Sequence, residues 1–225
     1  MQRENMKHTV LVVGATVGFG EATVRRFLAH GYQIIALGKN AEHLEKLQHS
    51  ISADQHQQLL TMVIDLENSE AIDVLAAALP AAFADVTILV NNVSLDLGAD
   101  AATHWEQIIE RNIKGLAHMT RAILPGMVER QQGHVINLGA VAASVQSLAL
   151  AGINLDGGTR AFLKQFSLNL RADLSGSPIR VTCIQPARNN RAQALEATDV
   201  AEAIYWVTHL PKHFNVNLIE LMPVE

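Results

Sequence analysis

The sequence predicts a doubly wound α/β protein: one parallel sheet with helices on both faces. Three observations carry that expectation. Short apolar runs alternate with stretches of helical period from one end of the chain to the other. Most of these runs are apolar throughout, as strands covered on both faces must be. The first run leads directly into a glycine-rich turn that opens a helix.

Taken in order, Thr9–Val13 is a short β-branched run. Residues 21–29 then repeat apolar side chains at helical spacing, 33–37 form the second strand and 41–49 the second helix. A strand over 60–64 precedes a helix over 70–78 that stops near Pro80, and 86–90 is a strand ending in Asn91-Asn92. Residues 103–130 form a long helical region in which Pro125 is expected to introduce a kink. Strands over His134–Leu138 and 180–184 flank a helix over 158–174, and a helix over 198–210 precedes a last strand over 217–221. The stretch 139–155 carries no helix start signal.

A chain of 225 residues suits one domain, spanning 1–225, and neither a repeat nor a linker divides it. Hydrophobic content of 49% with 17% charged residues is globular in character. A net charge of −5 gives no electrostatic reason to expect nucleic acid or an anionic membrane as partner. The N-terminal residues lack the apolar core of a signal peptide, and no apolar stretch is long enough to span a bilayer, so a cytoplasmic location is expected. Cys183 lies in an apolar run and reads as a buried, inert thiol. The ten histidines show no metal-ligating spacing, and there is no Gly-x-Ser-x-Gly nucleophile elbow.

The turn Val12-Val13-Gly14-Ala15-Thr16-Val17-Gly18-Phe19-Gly20-Glu21 has the composition of a pyrophosphate cradle. Glycines allow close backbone approach, and the helix N-terminus presents free N–H groups to an anion. With Leu89-Val90-Asn91-Asn92, the stretch from Met119 to Arg130, the stretch from Arg160 to Arg171 and Leu221-Met222-Pro223-Val224, the chain resembles the short-chain dehydrogenase/reductase family over nearly its whole length. Within that family it is similar to the bacterial NADP-dependent 3-hydroxy acid dehydrogenases that act on serine and allothreonine.

The resemblance implies a single Rossmann-like domain that binds NADP(H) in preference to NAD(H). The pyrophosphate glycines fall on Gly14, Gly18 and Gly20, with Thr16 and Phe19 in the same turn. Lys39 stands where NADP-type members carry a basic residue for the adenosine 2′-phosphate; an acid there would repel it. Asp65 and Leu66 match the adenine side, Asn91 and Val93 the motif after the fourth strand, and Pro186 the end of the sixth. Asn112, in an Asn-x-x-Gly setting with Gly115, matches the family's helix asparagine. The family's use of its long helices for dimers and tetramers implies a homo-oligomer.

The chain departs from the family at its chemistry. The serine, tyrosine and lysine positions read Ala140, Asp156 and Arg160, with about three extra residues in the loop before Asp156. Without that insertion, Ile153 stands at the tyrosine position. The chain's two tyrosines, Tyr32 and Tyr205, are followed four residues later by Ala36 and His209 rather than lysine. In the family the tyrosine protonates the alkoxide made by hydride delivery, the lysine lowers its pKa and holds the nicotinamide ribose, and the serine steadies the oxygen. An exposed aspartate titrates near ~3.9 and tyrosine near ~10. Asp156 would therefore be an anion at neutral pH, and Arg160 one turn away favours that form. Arg160 can still meet a ribose hydroxyl, and Asp156 suits a helix cap or a surface pair with Arg160.

Ser94 replaces the family's glycine near the nicotinamide, and the segment 188–197 is short where relatives carry a substrate lid. The expectation is an NADP(H)-binding protein degenerate for ordinary carbonyl and alcohol redox chemistry, with a small-molecule substrate doubtful. Two alternatives stand beside it: an oxidoreductase using protonated Asp156 or water as donor, and a structural partner of an active paralogue.

Overall fold

Side-chain alternation along buried strands sorts the core onto two faces. All residues of β1 (Thr9–Val13), β2 (Gln33–Gly38) and β5 (His134–Leu138) are buried. One face gathers Val10, Val12, Ile34 and Ala36 under Phe27, Leu44 and Ile204; the other gathers Leu11, Val13, Ile35 and Leu37 with Ile72, Met119 and Met127. The computed structural model describes residues 8–93, 105–139, 155–186 and 195–224.

The remaining strands are β3 (Leu59–Val63), β4 (Val86–Asn92), β6 (Arg180–Pro186) and β7 (Leu218–Leu221). All seven strands run parallel in the order β3-β2-β1-β4-β5-β6-β7. The chain winds outward from β1 to β3, then returns to place β4 on the other side of β1. Ligands of such sheets bind where the winding reverses, outside the carboxyl ends of the strands.

The helices are α1 (Gly18–Leu28), α2 (Ala41–Ser50), α3 (Ser69–Asp73), α4 (Leu75–Ala78), α5 (Trp105–Ile109), α6 (Leu116–Glu129), α7 (Leu155–Asp173) and α8 (Ala197–Thr208). A 3-10 segment, Ala53–Gln58, leads into β3. Asn40 and Asn68 start α2 and α3 by accepting hydrogen bonds from the backbone N–H groups of His43 and Ala71. The long helical region expected over 103–130 is continuous through Pro125, and its irregularity lies earlier: Glu110–Gly115 is a π-helical turn. The helix expected from 158 begins at Leu155, so Gly157 and Gly158 sit inside α7 and Asp156 in its first turn rather than at the cap position before it.

A polar chain crosses the otherwise apolar interior. Asn91 and Asn137 are register partners on β4 and β5. Asn91 Nδ2 donates to Asn137 Oδ1 at 2.9 Å and to Thr120 Oγ1 at 3.1 Å. Asn137 Nδ2 donates to Ser167 Oγ at 2.9 Å, and Thr120 and Ser167 donate on to the carbonyls of Leu116 and Leu163. Four elements are thereby pinned in one register, because an unmade buried hydrogen bond costs about 1–3 kcal/mol.

Among the described residues, His134 is the most strongly perturbed histidine. It is buried at the start of β5 with Nε2 2.8 Å from Thr182 Oγ1. Burial, with the nearby positive charge of Arg180, pushes its pKa well below the usual value. The unfolded chain then takes up a proton below about pH 6.5 that the folded chain refuses, so stability falls with pH by up to about 1.4 kcal/mol per unit for this group. His134→Gln is expected to remove that share of the pH slope between about pH 6.5 and pH 5 in urea unfolding; equal slopes in the two proteins would contradict the assignment.

Candidate functional site

The winding reversal between β1 and β4 is closed by direct backbone contact. Gly14 follows β1 with φ of 67°, and Asn92 Nδ2 donates to its carbonyl at 2.9 Å. A Cβ on Gly14 would sit 2.4 Å from the Asn92 carbonyl oxygen. One on Gly20 would sit 1.9 Å from the Gly14 carbonyl oxygen. Both positions therefore need glycine for close approach, and they bring the N-terminus of α1 over the end of the sheet. Gly18, at φ of 53°, faces open space instead. Val17 occupies the cap position of α1 and provides no side-chain hydrogen bond to its first turn.

Beside this turn lies a cleft lined by Gly14, Gly38, Leu66, Asn92, Val93 and Asn112. Asn112 stands on the π turn, where the widened helical ladder carries its side chain inward. It is 8% exposed, and its Oδ1 has no hydrogen-bond partner among the described residues. A buried amide oxygen in that state calls for a ligand or water to satisfy it. Gly115 lets the same turn press on Leu66, whose Cβ would lie 2.8 Å from a Cβ added there.

The outer rim is charged. Lys39, just after β2, lies 2.7 Å from Asp65 Oδ2 and 3.5 Å from Glu67 Oε1. Arg111 Nε lies 3.3 Å from the same Glu67 oxygen. Asp65 Oδ1 accepts from the Glu67 backbone N–H, which fixes the carboxylate in the turn after β3. The Asp65 hydrogen bond raises the Lys39 pKa against the opposing effect of burial. Burial works to raise the Asp65 pKa, but Lys39, the Glu67 N–H and the charge of Arg111 together carry it below the usual carboxylate value.

The structure gathers Gly14, Lys39, Leu66, Val93 and Asn112 around one cleft, with Asp65 at its rim. Thr16 packs its Cγ2 against Gly38, Phe19 leans on the core under α1, and Pro186 is buried at the end of β6. The Asn91 side chain is wholly buried in the polar chain between strands, and alternation along β4 turns the Asn92 side chain toward Gly14 instead. Arg160 is half-buried on α7. Ala140, Ile153, Ser94 and the segment 188–194 lie outside the described residues, as does the side chain of Asp156. Sequence reasoning named Asn92 only as part of the Asn91-Asn92 pair and missed Glu67 and Arg111. Arg111 directly precedes Asn112, and that adjacency was its available signal.

Cys183 is buried, and burial lifts its thiol to about 11. No cluster of three or more metal-ligating side chains occurs among the described residues, and no described helix is long and apolar enough to cross a membrane.

The sequence profile of the short chain dehydrogenase family matches residues 8–198. The chain belongs to that family. It is 42% identical over 241 residues to the NADP-dependent 3-hydroxy acid dehydrogenase YdfG of Salmonella typhi, covering 96% of this chain and 94% of that protein. It is 41% identical to the serine 3-dehydrogenase of Agrobacterium fabrum, covering 97% and 95%. Among solved structures, serine dehydrogenase from Escherichia coli superposes with a TM-score of 0.82 at 45% identity, covering 96% of this chain and 97% of that one. A closed form of serine dehydrogenase complexed with NADP+ superposes at 0.84 with 41% identity, covering 96% and 94%.

The close approach at the turn yields a graded prediction. Gly20→Ala must displace the Gly14 carbonyl and is expected to cost about 2–3 kcal/mol. Gly18→Ala meets no atom and bears only the left-handed backbone, about 1 kcal/mol. Chemical denaturation of both variants checks the order; equal losses would contradict the packing at Gly20.

Proposed function

We propose that this chain is a short-chain dehydrogenase family protein that binds NADP(H) and has lost the family's means of protonating a substrate oxygen. The observation that carries this reading is the placement of its two tyrosines. Tyr32 immediately precedes β2, at the amino end of the sheet, so the length of that strand separates it from Gly38 by about 20 Å. Tyr205 packs near it with ring centroids 6.4 Å apart, and the Tyr32 hydroxyl lies 3.0 Å from His209 Nε2. Burial raises both phenols above their usual pKa. Neither is an acid for chemistry at the opposite edge. Asp156, the residue at the family's tyrosine position, is an anion in water and has no proton to give near neutrality.

The cofactor half fits the residues present. The uncapped start of α1 with Gly14, Gly18 and Gly20 suits the pyrophosphate, Asn112 Oδ1 awaits a donor, and Lys39 offers a cation to an adenosine phosphate. NADP(H), when bound, supplies or accepts a hydride; the chain's own residues hold it and shape the cleft. NADP(H) is favoured by Lys39 and by relatives named as NADP-dependent. The second reading is an active oxidoreductase on a small hydroxy acid. It is favoured by identity above 40% to proteins named dehydrogenases, and it requires a donor other than tyrosine.

Fluorescence titration is expected to show saturable NADPH binding that Lys39→Ala weakens more than NADH binding; no binding of either dinucleotide would favour a structural partner role. With a panel of 3-hydroxy acids and small carbonyls, turnover is expected to be reduced by the ~10²–10⁴-fold that a placed proton donor contributes. Ready turnover that disappears in Asp156→Asn would establish the second reading instead.

A further inference from the structure

The charged rim contains a carboxylate that a phosphate-binding site does not need. Lys39 and Arg111 are the cations of the cluster, and Asp65 and Glu67 are its anions. The positive charges are therefore cancelled before any ligand arrives. Asp65 is engaged on both oxygens, one by Lys39 and one by the Glu67 backbone. Glu67 is different. Its Oε1 bridges Lys39 at 3.5 Å and Arg111 at 3.3 Å, two cations that line the cleft, and its side chain is 36% exposed. It occupies the position between two cations that a dianionic phosphate would take.

Resting on the nucleotide-binding reading above, we propose that Glu67 is a specificity-determining residue that lowers this site's preference for a 2′-phosphorylated adenosine over a plain one. Binding the 2′-phosphate requires Glu67 to give up Lys39 and Arg111, while a 2′-hydroxyl leaves the bridge intact. Selectivity is a difference between two affinities, and a repulsive group set against one ligand lowers it without touching the other. Arg111, on the π turn beside Asn112, is the second cation the phosphate gains once Glu67 is neutral.

The test uses the full-length protein with two fragments, adenosine 2′,5′-bisphosphate and adenosine 5′-monophosphate, alongside NADPH and NADH, read by calorimetric or fluorescence binding. Glu67→Gln is expected to raise the affinity ratio of the bisphosphate to the monophosphate by about five- to tenfold at low salt, as expected for a unit charge removed some 5 Å away at a wet surface. The NADPH to NADH ratio follows in the same direction. The gain shrinks as salt is added. Adding Arg111→Gln to Glu67→Gln is expected to remove most of the gain. A ratio unchanged within about twofold, or equal gains for both fragments, would overturn the proposal; the twofold margin is small against the charge effect expected. If folded wild type and variant both bind neither fragment nor either dinucleotide, the nucleotide-binding reading itself has failed, and this inference falls with it.

Discussion

The return of the chain to β1 from the far side forces one contact on which the rest of the site depends. β4 must end against the turn that leaves β1, and Asn92 there holds the Gly14 carbonyl. Only residues without a Cβ permit that spacing at Gly14 and Gly20. The contact sets where α1 begins and aims its unpaired N–H groups at the end of the sheet. It also opens the cleft between the two halves of the sheet, which Leu66 and Asn112 line.

The interior treats its polar groups in two ways. Asn91, Asn137, Thr120 and Ser167 link β4, β5, α6 and α7 through a chain of hydrogen bonds that leaves Asn91 Oδ1 without a partner among the described residues. Asn112 is buried with an unused oxygen. Of the two, only Asn112 lines the cleft, so its unused oxygen is the one a bound molecule can reach. The cradle is thus held by rigid strands and helices, and its chemistry is decided by residues at their ends. Neither tyrosine of this chain takes part in that scaffold. Tyr32 and Tyr205 serve a separate aromatic cluster with Phe27 at the other edge of the sheet.

Strands and their order of burial were legible in the sequence because buried parallel strands must be apolar on both faces. The glycine turn was legible because close approach admits a single residue type. Element ends were less so. Helix α1 starts at Gly18, before the first residue of apolar helical period, and α7 passes through a Gly-Gly pair that local propensity disfavours. The π turn at Glu110–Gly115 has no pattern of its own in sequence, since it arises from how the helix meets Leu66. The Asn91-Asn92 pair was legible as a motif, but which of the two faces Gly14 depends on a register that the sequence does not show. Glu67 and Arg111 were missed because ion pairs between distant segments leave no periodic trace.

The central claim is that a dinucleotide cleft survives here without a proton donor at its reacting end. A single-turnover experiment addresses it most directly: enzyme in excess over NADPH, mixed rapidly with a saturating small aldehyde or ketone. The account predicts that the reduced nicotinamide absorbance persists while binding fluorescence shows the cofactor held in place. Rapid, complete loss of that absorbance with alcohol formed in equal amount would contradict it.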